Sequence, residues 1–237
     1  MARLPGRPKM PPDSLFSAES FAQSLGDVSR ETLVKLELYA ELLIKWNKSI
    51  NLVSRDSLTD LWRRHFLDSA QLLEHLPPTF DKAEPVIVDL GSGAGFPGMV
   101  LAILGCQKVH LIESDQRKCV FLREVARATS CQVTVHNKRI EQVEAFRADL
   151  VTARAFAPLD DLLGFAWPFL SCQSAPGRQL PESGVFPPGR LLLLKGKNAE
   201  QELTTAGKRW SMRVERFSSR SSSEGQILRL DTLQIGD

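Results

Sequence analysis

The run VIVDLGSGAGFPG at residues 86–98 constrains this 237-residue chain more than any other stretch. Val86, Ile87 and Val88 form a short β-branched run of the kind that makes a buried parallel strand. Asp89 follows at the tip of that run. Glycines then alternate at 91, 93 and 95, and Pro97-Gly98 opens an apolar helical pattern through Met99, Val100, Leu101, Ile103 and Leu104. A strand that breaks into a glycine loop and then a helix is a cradle for a nucleotide or cofactor. The backbone must turn sharply there, and a ligand must approach it without meeting a Cβ.

Gly93, Gly95 and Gly98 fit the dinucleotide spacing G-x-G-x-x-G. Asp89 argues against that ligand, because a carboxylate at the strand tip repels a pyrophosphate. It suits a ligand carrying an ammonium and a sulfonium. The alternating form D-x-G-x-G-x-G, here Asp89-Gly91-Gly93-Gly95, resembles the first motif of the S-adenosylmethionine-dependent methyltransferases. A second acid, Glu113, stands at the end of the next expected strand, 18 residues after Gly95. An acid at this place accepts hydrogen bonds from ribose hydroxyls in doubly wound folds. Equally, the acids around Ser114-Asp115 suit the start of the helical run that follows.

The chain is long enough for a full α/β core. Its apolar content of 43%, charged content of 24% and net charge of +2 are those of a globular protein, neither demanding nor excluding nucleic acid. No apolar stretch approaches the roughly 18 residues of a membrane span, so no membrane association is expected. The opening MARLPGRPKMPP has no apolar core of a secretory signal. Residues 1–12 are expected to form a disordered basic tail. Cys106, Cys119, Cys131 and Cys172 lack metal-ligand spacing and read as reduced thiols of a cytoplasmic protein, with no metal expected.

Helical periodicity is expected over 14–25, 29–48 and 57–75, with Leu36, Tyr39, Leu43 and Trp46 forming one apolar stripe. An N-terminal helical region thus covers 13–80. Beyond it, strands expected at 86–90, 108–113, 132–136, 149–154 and 190–195 alternate with helices at 97–104, 116–129, 141–147, 159–169 and 199–210. Such alternation implies an α/β domain over 81–237 with a mostly parallel sheet. The apolar segments 212–217 and 226–233 read as a terminal hairpin that supplies an antiparallel edge. Residues 171–189, rich in Pro, Gly and Ser, are expected to be a long mobile loop.

Several segments in order, WNKSINLVSR (46–55), RRHFLDSA (63–70), VDLGSGAGFPG (88–98), RIEQV (139–143), ARAFAPLDDL (153–162) and LLLLKGKN (191–198), resemble one family. It is the bacterial ribosomal RNA small subunit methyltransferase G family, also known as glucose-inhibited division protein B. The resemblance implies a class I S-adenosylmethionine-dependent methyltransferase, Rossmann-like, with an N-terminal helical extension. The implied reaction is methyl transfer from S-adenosyl-L-methionine to nitrogen 7 of a guanine in the 530 loop of 16S rRNA. The implied partner is 16S rRNA or the small ribosomal subunit, and a monomer is expected. The implied cofactor site comprises Gly91 and Phe96 in the loop, Glu113, Ser114 and Asp115 after the second strand, Ile140 and Glu141 after the third, and Arg154 after the fourth. Asp89, Gly93 and Gly95 join them from the motif. Asn51, His65 and Asp68 match the family segments and are expected on the substrate-facing side, with Lys195 at the end of the fifth strand.

Nitrogen 7 of guanine is a free lone pair, so no general base is needed, and rate comes from positioning. Amino methyltransferases place (N/D)-P-P-(Y/F/W) after the fourth strand; here that site reads TARAFAP (152–158). Arg154 offers only donors, which suit guanine's oxygen 6 and nitrogen 7, a phosphate or a cofactor carboxylate. The cations Lys45, Lys48, Arg55, Arg63, Arg64 and His65, interleaved with Trp46 and Trp62, read either as an RNA face or as a solvated basic face over core tryptophans. Two alternatives stand beside the methyltransferase: an NAD-dependent oxidoreductase, which keeps the cradle and Glu113, and an RNA-binding protein of methyltransferase fold with another substrate.

Overall fold

The computed structural model describes residues 16–26, 28–76, 85–172 and 189–236. The expected tail at 1–12 lies outside them, as does the expected mobile loop apart from residues 171, 172 and 189.

The N-terminal region opens with helices α1 (Ala18–Leu25) and α2 (Arg30–Trp46). Ser17 and Ser29 cap them, each hydroxyl accepting a backbone N–H three residues on. The single helix expected over 57–75 is instead four short pieces: α3 (Arg55–Leu58), a π-helical turn (Trp62–Leu67), α4 (Asp68–Ala70) and a 3₁₀ turn (Gln71–His75). Within the π turn the Asp68 N–H goes to the carbonyls of Arg63 and His65, skipping that of Arg64. Such turns cluster at functional sites because they re-aim neighbouring groups.

The remainder alternates as expected: β1 (Val86–Leu90), α5 (Gly98–Ile103), β2 (Lys108–Glu113), α6 (Gln116–Ala128), β3 (Val133–Asn137), β4 (Leu150–Arg154), α7 (Leu159–Ser171), β5 (Arg190–Lys195) and α8 (Ala199–Ala206). A hairpin of β6 (Trp210–Ser218) and β7 (Gln226–Ile235) follows. The seven strands form one sheet in the order β3-β2-β1-β4-β5-β7-β6. The first five are parallel; β7 runs antiparallel to β5 and β6 antiparallel to β7. The helix expected at 141–147 does not form; only a 3₁₀ turn at Ile140–Gln142 precedes an irregular stretch. There Phe146 turns inward against His110 and Phe169, and buried Arg147 donates to the Leu170 carbonyl. These contacts need an extended chain.

Strand alternation sends neighbouring residues to opposite cores. Ile87, Leu111, Leu150 and Leu192 join α5, α6 and the N-terminal helices on one face. Val88, Val151, Leu191 and Leu193 join α7 and α8 on the other. The N-terminal helices therefore share a continuous core with the sheet. Trp46 packs near Phe121, and Trp62 stacks on Phe66, so the two tryptophans serve this core and are not free base platforms. Among the described residues no helix is long and apolar enough to cross a membrane.

Candidate active site

The carboxyl ends of β1, β2 and β4 meet in a cleft of about 550 Å³. This is where open α/β sheets bind ligands, and the size is that of a small-molecule site, typically roughly 300–1,000 Å³. Gly91, Gly93, Phe96, Glu113, Ile140 and Arg154 are among its walls.

The glycine loop is set by neighbours on both sides. Gly95 has φ +96°, and a Cβ there would stand 2.7 Å from the Tyr39 hydroxyl and 2.9 Å from Met99 Cβ, so only glycine fits. Tyr39 of α2 donates its hydroxyl proton to the Ala94 carbonyl and stacks on Phe96 at 5.3 Å. Gly93, at φ +56°, faces open space: the nearest atom to a Cβ would be the Gly91 carbonyl oxygen at 3.7 Å. Its N–H donates to Glu113 Oε2 at 2.9 Å, while the Asp115 N–H donates to Glu113 Oε1 at 2.8 Å. Each carboxylate oxygen keeps a further lone pair for a hydroxyl donor.

At the opposite end, Arg154 leaves β4 and reaches back to the N-terminal region. Its Nη1 donates to the Arg64 carbonyl at 3.0 Å and to Asp68 Oδ2 at 3.5 Å. Its Nη2 donates to His65 Nδ1 at 2.8 Å, and its guanidinium lies 4.8 Å from the Phe96 ring centre. His65 stacks on Phe96 in turn, at 4.9 Å. Burial, with Arg154 and Arg64 alongside, pushes the His65 pKa down to about 3, so the ring is neutral at physiological pH. Asp68 Oδ1 accepts from Gln71 Nε2 and Ser221 Oγ, which ties this cluster to the β6–β7 connection. A second, larger cavity of about 1140 Å³ lies behind it, reached by Asp68, Lys195, Ser221 and Gln226. The two cavities share Arg64, Arg154, Ala155 and Phe156 as a common wall.

The family model for rRNA small subunit methyltransferase G matches residues 32–176. The chain belongs to the rRNA small subunit methyltransferase G family. It is 52% identical over 209 residues to the ribosomal RNA small subunit methyltransferase G of Paramagnetospirillum magneticum, covering 88% of this chain and 93% of that protein. It is also 52% identical over 216 residues to the protein of the same name from Rhodospirillum rubrum, covering 91% and 97%. The solved structure of magnesium protoporphyrin IX methyltransferase from Synechocystis PCC 6803 with bound SAM shares the fold. Its TM-score is 0.50 at 16% identity, with 90% of this chain and 99% of that one covered. Membership in the methyltransferase G family sets aside the oxidoreductase alternative.

Within this family member, not every residue singled out from sequence reaches the cleft. His65, Gly91, Gly93, Phe96, Glu113, Ser114, Ile140, Glu141 and Arg154 line it. Asp89 does not. It is fully buried, its carboxylate accepting from Thr152 Oγ1 at 3.1 Å and from the Gly98 N–H at 3.3 Å, and burial raises its pKa to about 6. Its place is beneath the loop, where it anchors the start of α5 instead of facing a ligand's positive charge. Gly95 is likewise a packing residue. Asp115 caps α6, accepting the N–H groups of Arg117 and Lys118. Lys195 is spent on the Ala157 carbonyl at 3.1 Å and Glu202 at 2.7 Å, although it borders the second cavity.

Asn51 is exposed and lines neither cavity. The asparagine that shapes this turn is Asn47. Its Oδ1 accepts from the Leu52 and Val53 N–H groups, and its Nδ2 donates to the Val53 carbonyl. Leu52 and Val53 then line the cleft. Sequence reasoning also passed over Tyr39 as a loop anchor and Phe156 as a wall residue. The aromatic of Phe156 is 39% exposed, an uncommon state for phenylalanine and a signal only structure provides.

Proposed function

We propose that this chain binds S-adenosyl-L-methionine in the smaller cleft and methylates nitrogen 7 of a guanine in the 530 loop of 16S rRNA, presented through the larger cavity. Family membership carries the reaction. The shared wall of the two cavities carries the assignment of cofactor and substrate to either side of Arg154 and Phe156.

The residues present fit the cofactor. Gly93 leaves open space where a side chain would stand, and Glu113 has lone pairs left for ribose hydroxyls. Arg64 and Arg154 place positive charge at the other end for a carboxylate. When bound, S-adenosylmethionine supplies a methyl group on a positively charged sulfur. The protein's share is positioning, the effect worth up to ~7–11 kcal/mol in favourable systems. Phe156 offers an exposed ring at the shared wall on which a splayed-out base stacks. Among the described residues, the two titratable side chains bonded to Arg154 are both engaged: His65 accepts from Arg154, and Asp68 accepts from Arg154, Gln71 and Ser221. Nitrogen 7 carries no proton, so no base is required. In this reading the chain acts as a monomer on cytoplasmic ribosomal subunits.

The test is incubation with radiolabelled S-adenosylmethionine and small subunits from cells lacking the modification. Reduction and aniline cleavage then map 7-methylguanine along 16S rRNA. A single cleavage in the 530 loop is expected. Label on an exocyclic amine, or none in 16S rRNA, overturns the reading.

A further inference from the structure

His65 sits on the π-helical turn with 8% of its surface exposed. Its Nδ1 lies 2.8 Å from Arg154 Nη2. A guanidinium only donates, so Nδ1 must hold a lone pair and the ring proton must sit on Nε2. That Nε2 is buried and has no hydrogen-bond partner among the described residues. Buried donors left without an acceptor are rare in folded proteins and call for an explanation. The ring is not free to turn away, because it stacks on Phe96 while Arg154 holds its other nitrogen.

The position of the orphan donor decides its partner. His65 borders the smaller cleft and not the larger cavity. Along that cleft, Glu113 and Glu141 stand at the β2–β3 side, while Arg64 and Arg154 stand beside His65. A ligand with hydroxyl donors at one end and a carboxylate at the other fits this polarity. We infer that the Nε2–H of His65 donates to the α-carboxylate of S-adenosylmethionine, with Arg154 fixing the tautomer that makes this possible. The inference rests on the cofactor reading above. It makes His65 a neutral donor to the ligand, and Arg154 a residue that acts on the carboxylate through His65.

The experiment compares two ligands by calorimetry. S-adenosylhomocysteine has the carboxylate; 5′-methylthioadenosine lacks the whole amino-acid portion. Wild-type protein binding S-adenosylhomocysteine supports the cofactor reading itself, and failure to bind it overturns that reading independently of His65. In His65→Ala and His65→Phe, affinity for S-adenosylhomocysteine should fall at least tenfold, with methylthioadenosine binding changed less than twofold. Equal losses for both ligands would make His65 a packing residue and overturn the inference. Nitrogen-15 spectra of wild-type protein check the same point without a variant. The Nε2 proton resonance of His65 should shift with S-adenosylhomocysteine and stay still with methylthioadenosine; an unmoved resonance with both refutes the contact.

Discussion

The Arg154 guanidinium donates to Nδ1 of His65 across 2.8 Å, joining the end of a central strand to a π turn 89 positions earlier in the chain. The same guanidinium takes the Arg64 carbonyl and Asp68, so one side chain orders three groups of the N-terminal region.

Arg154→Lys should therefore lose on the order of a hundredfold in turnover, the scale on which small misplacements act. A lysine keeps the charge but cannot span His65, Asp68 and the Arg64 carbonyl together. Arg154→Ala should be at least as impaired, and should also melt several degrees lower because Asp68 is left buried with one partner fewer. Steady-state methylation assays and thermal melts measure both. A lysine variant of near-normal turnover would reduce Arg154 to a point charge.

Tyr39→Phe keeps the ring that stacks on Phe96 and removes the hydroxyl that holds Ala94. A loss of about 1 kcal/mol is expected, a melting shift of ~2–4 °C for a chain of this size. Loosening the glycine loop should also weaken S-adenosylhomocysteine several-fold. Unchanged affinity together with an unchanged melting point would show that the loop holds itself.

Gly93→Ala and Gly95→Ala should separate ligand space from packing. Both positions have positive φ, and each alanine carries backbone strain of about 1–2 kcal/mol. At 93 the new methyl enters open space, so cofactor affinity should fall more than stability does. At 95 it collides with Tyr39 and Met99, so the fold itself should suffer first. Calorimetry and urea unfolding on both variants decide it; identical profiles would contradict the assignment of the open space to ligand.

Acid should destabilise the fold. Burial holds His65 at about 3 and His110 at about 4, the latter with His136 stacked beside it. In the unfolded chain both return to ~6.5 and bind protons first, so their contribution is present above that value and is lost as pH falls toward 4. Asp89 acts in the opposite sense: held at about 6, it takes up its proton early in the fold and adds stability as pH falls. Two histidines outweigh one aspartate, leaving a net loss of about 2 kcal/mol between pH 7.5 and 5. Urea titrations across that range measure it. A flat profile would contradict the burial of these histidines.

Strands β1, β4 and β5 were legible because they are short apolar runs buried on both faces, and the cradle because its glycines are forced by φ and by close approach, as at Gly95. The helix boundaries of 57–75 were not, since nothing in WRRHFL marks a π turn; the turn is held by tertiary contacts to Arg154. Phe146 and Arg147 likewise extend the chain through contacts with distant residues, overriding a helical pattern at 141–147. The site was half legible for the same reason. Arg154, Glu113 and Ile140 stand where strand ends must place them. Whether a polar side chain faces the ligand or supports the loop is decided by rotamer and burial, and Asp89 and Asp115 went to support.

Gln71 donates to Ser219 and accepts from the Arg220 N–H, while Asp68 accepts from Ser221, spanning about 150 positions of chain. A protein emerging from its own ribosome makes the helices that carry these groups long before the β6–β7 connection appears. The larger cavity, rimmed by Asp68 on one side and Ser221 on the other, acquires its shape only when that late segment arrives. The larger cavity, proposed above to receive the substrate, is thus finished last, and competence in methyl transfer follows completion of nearly the whole sheet.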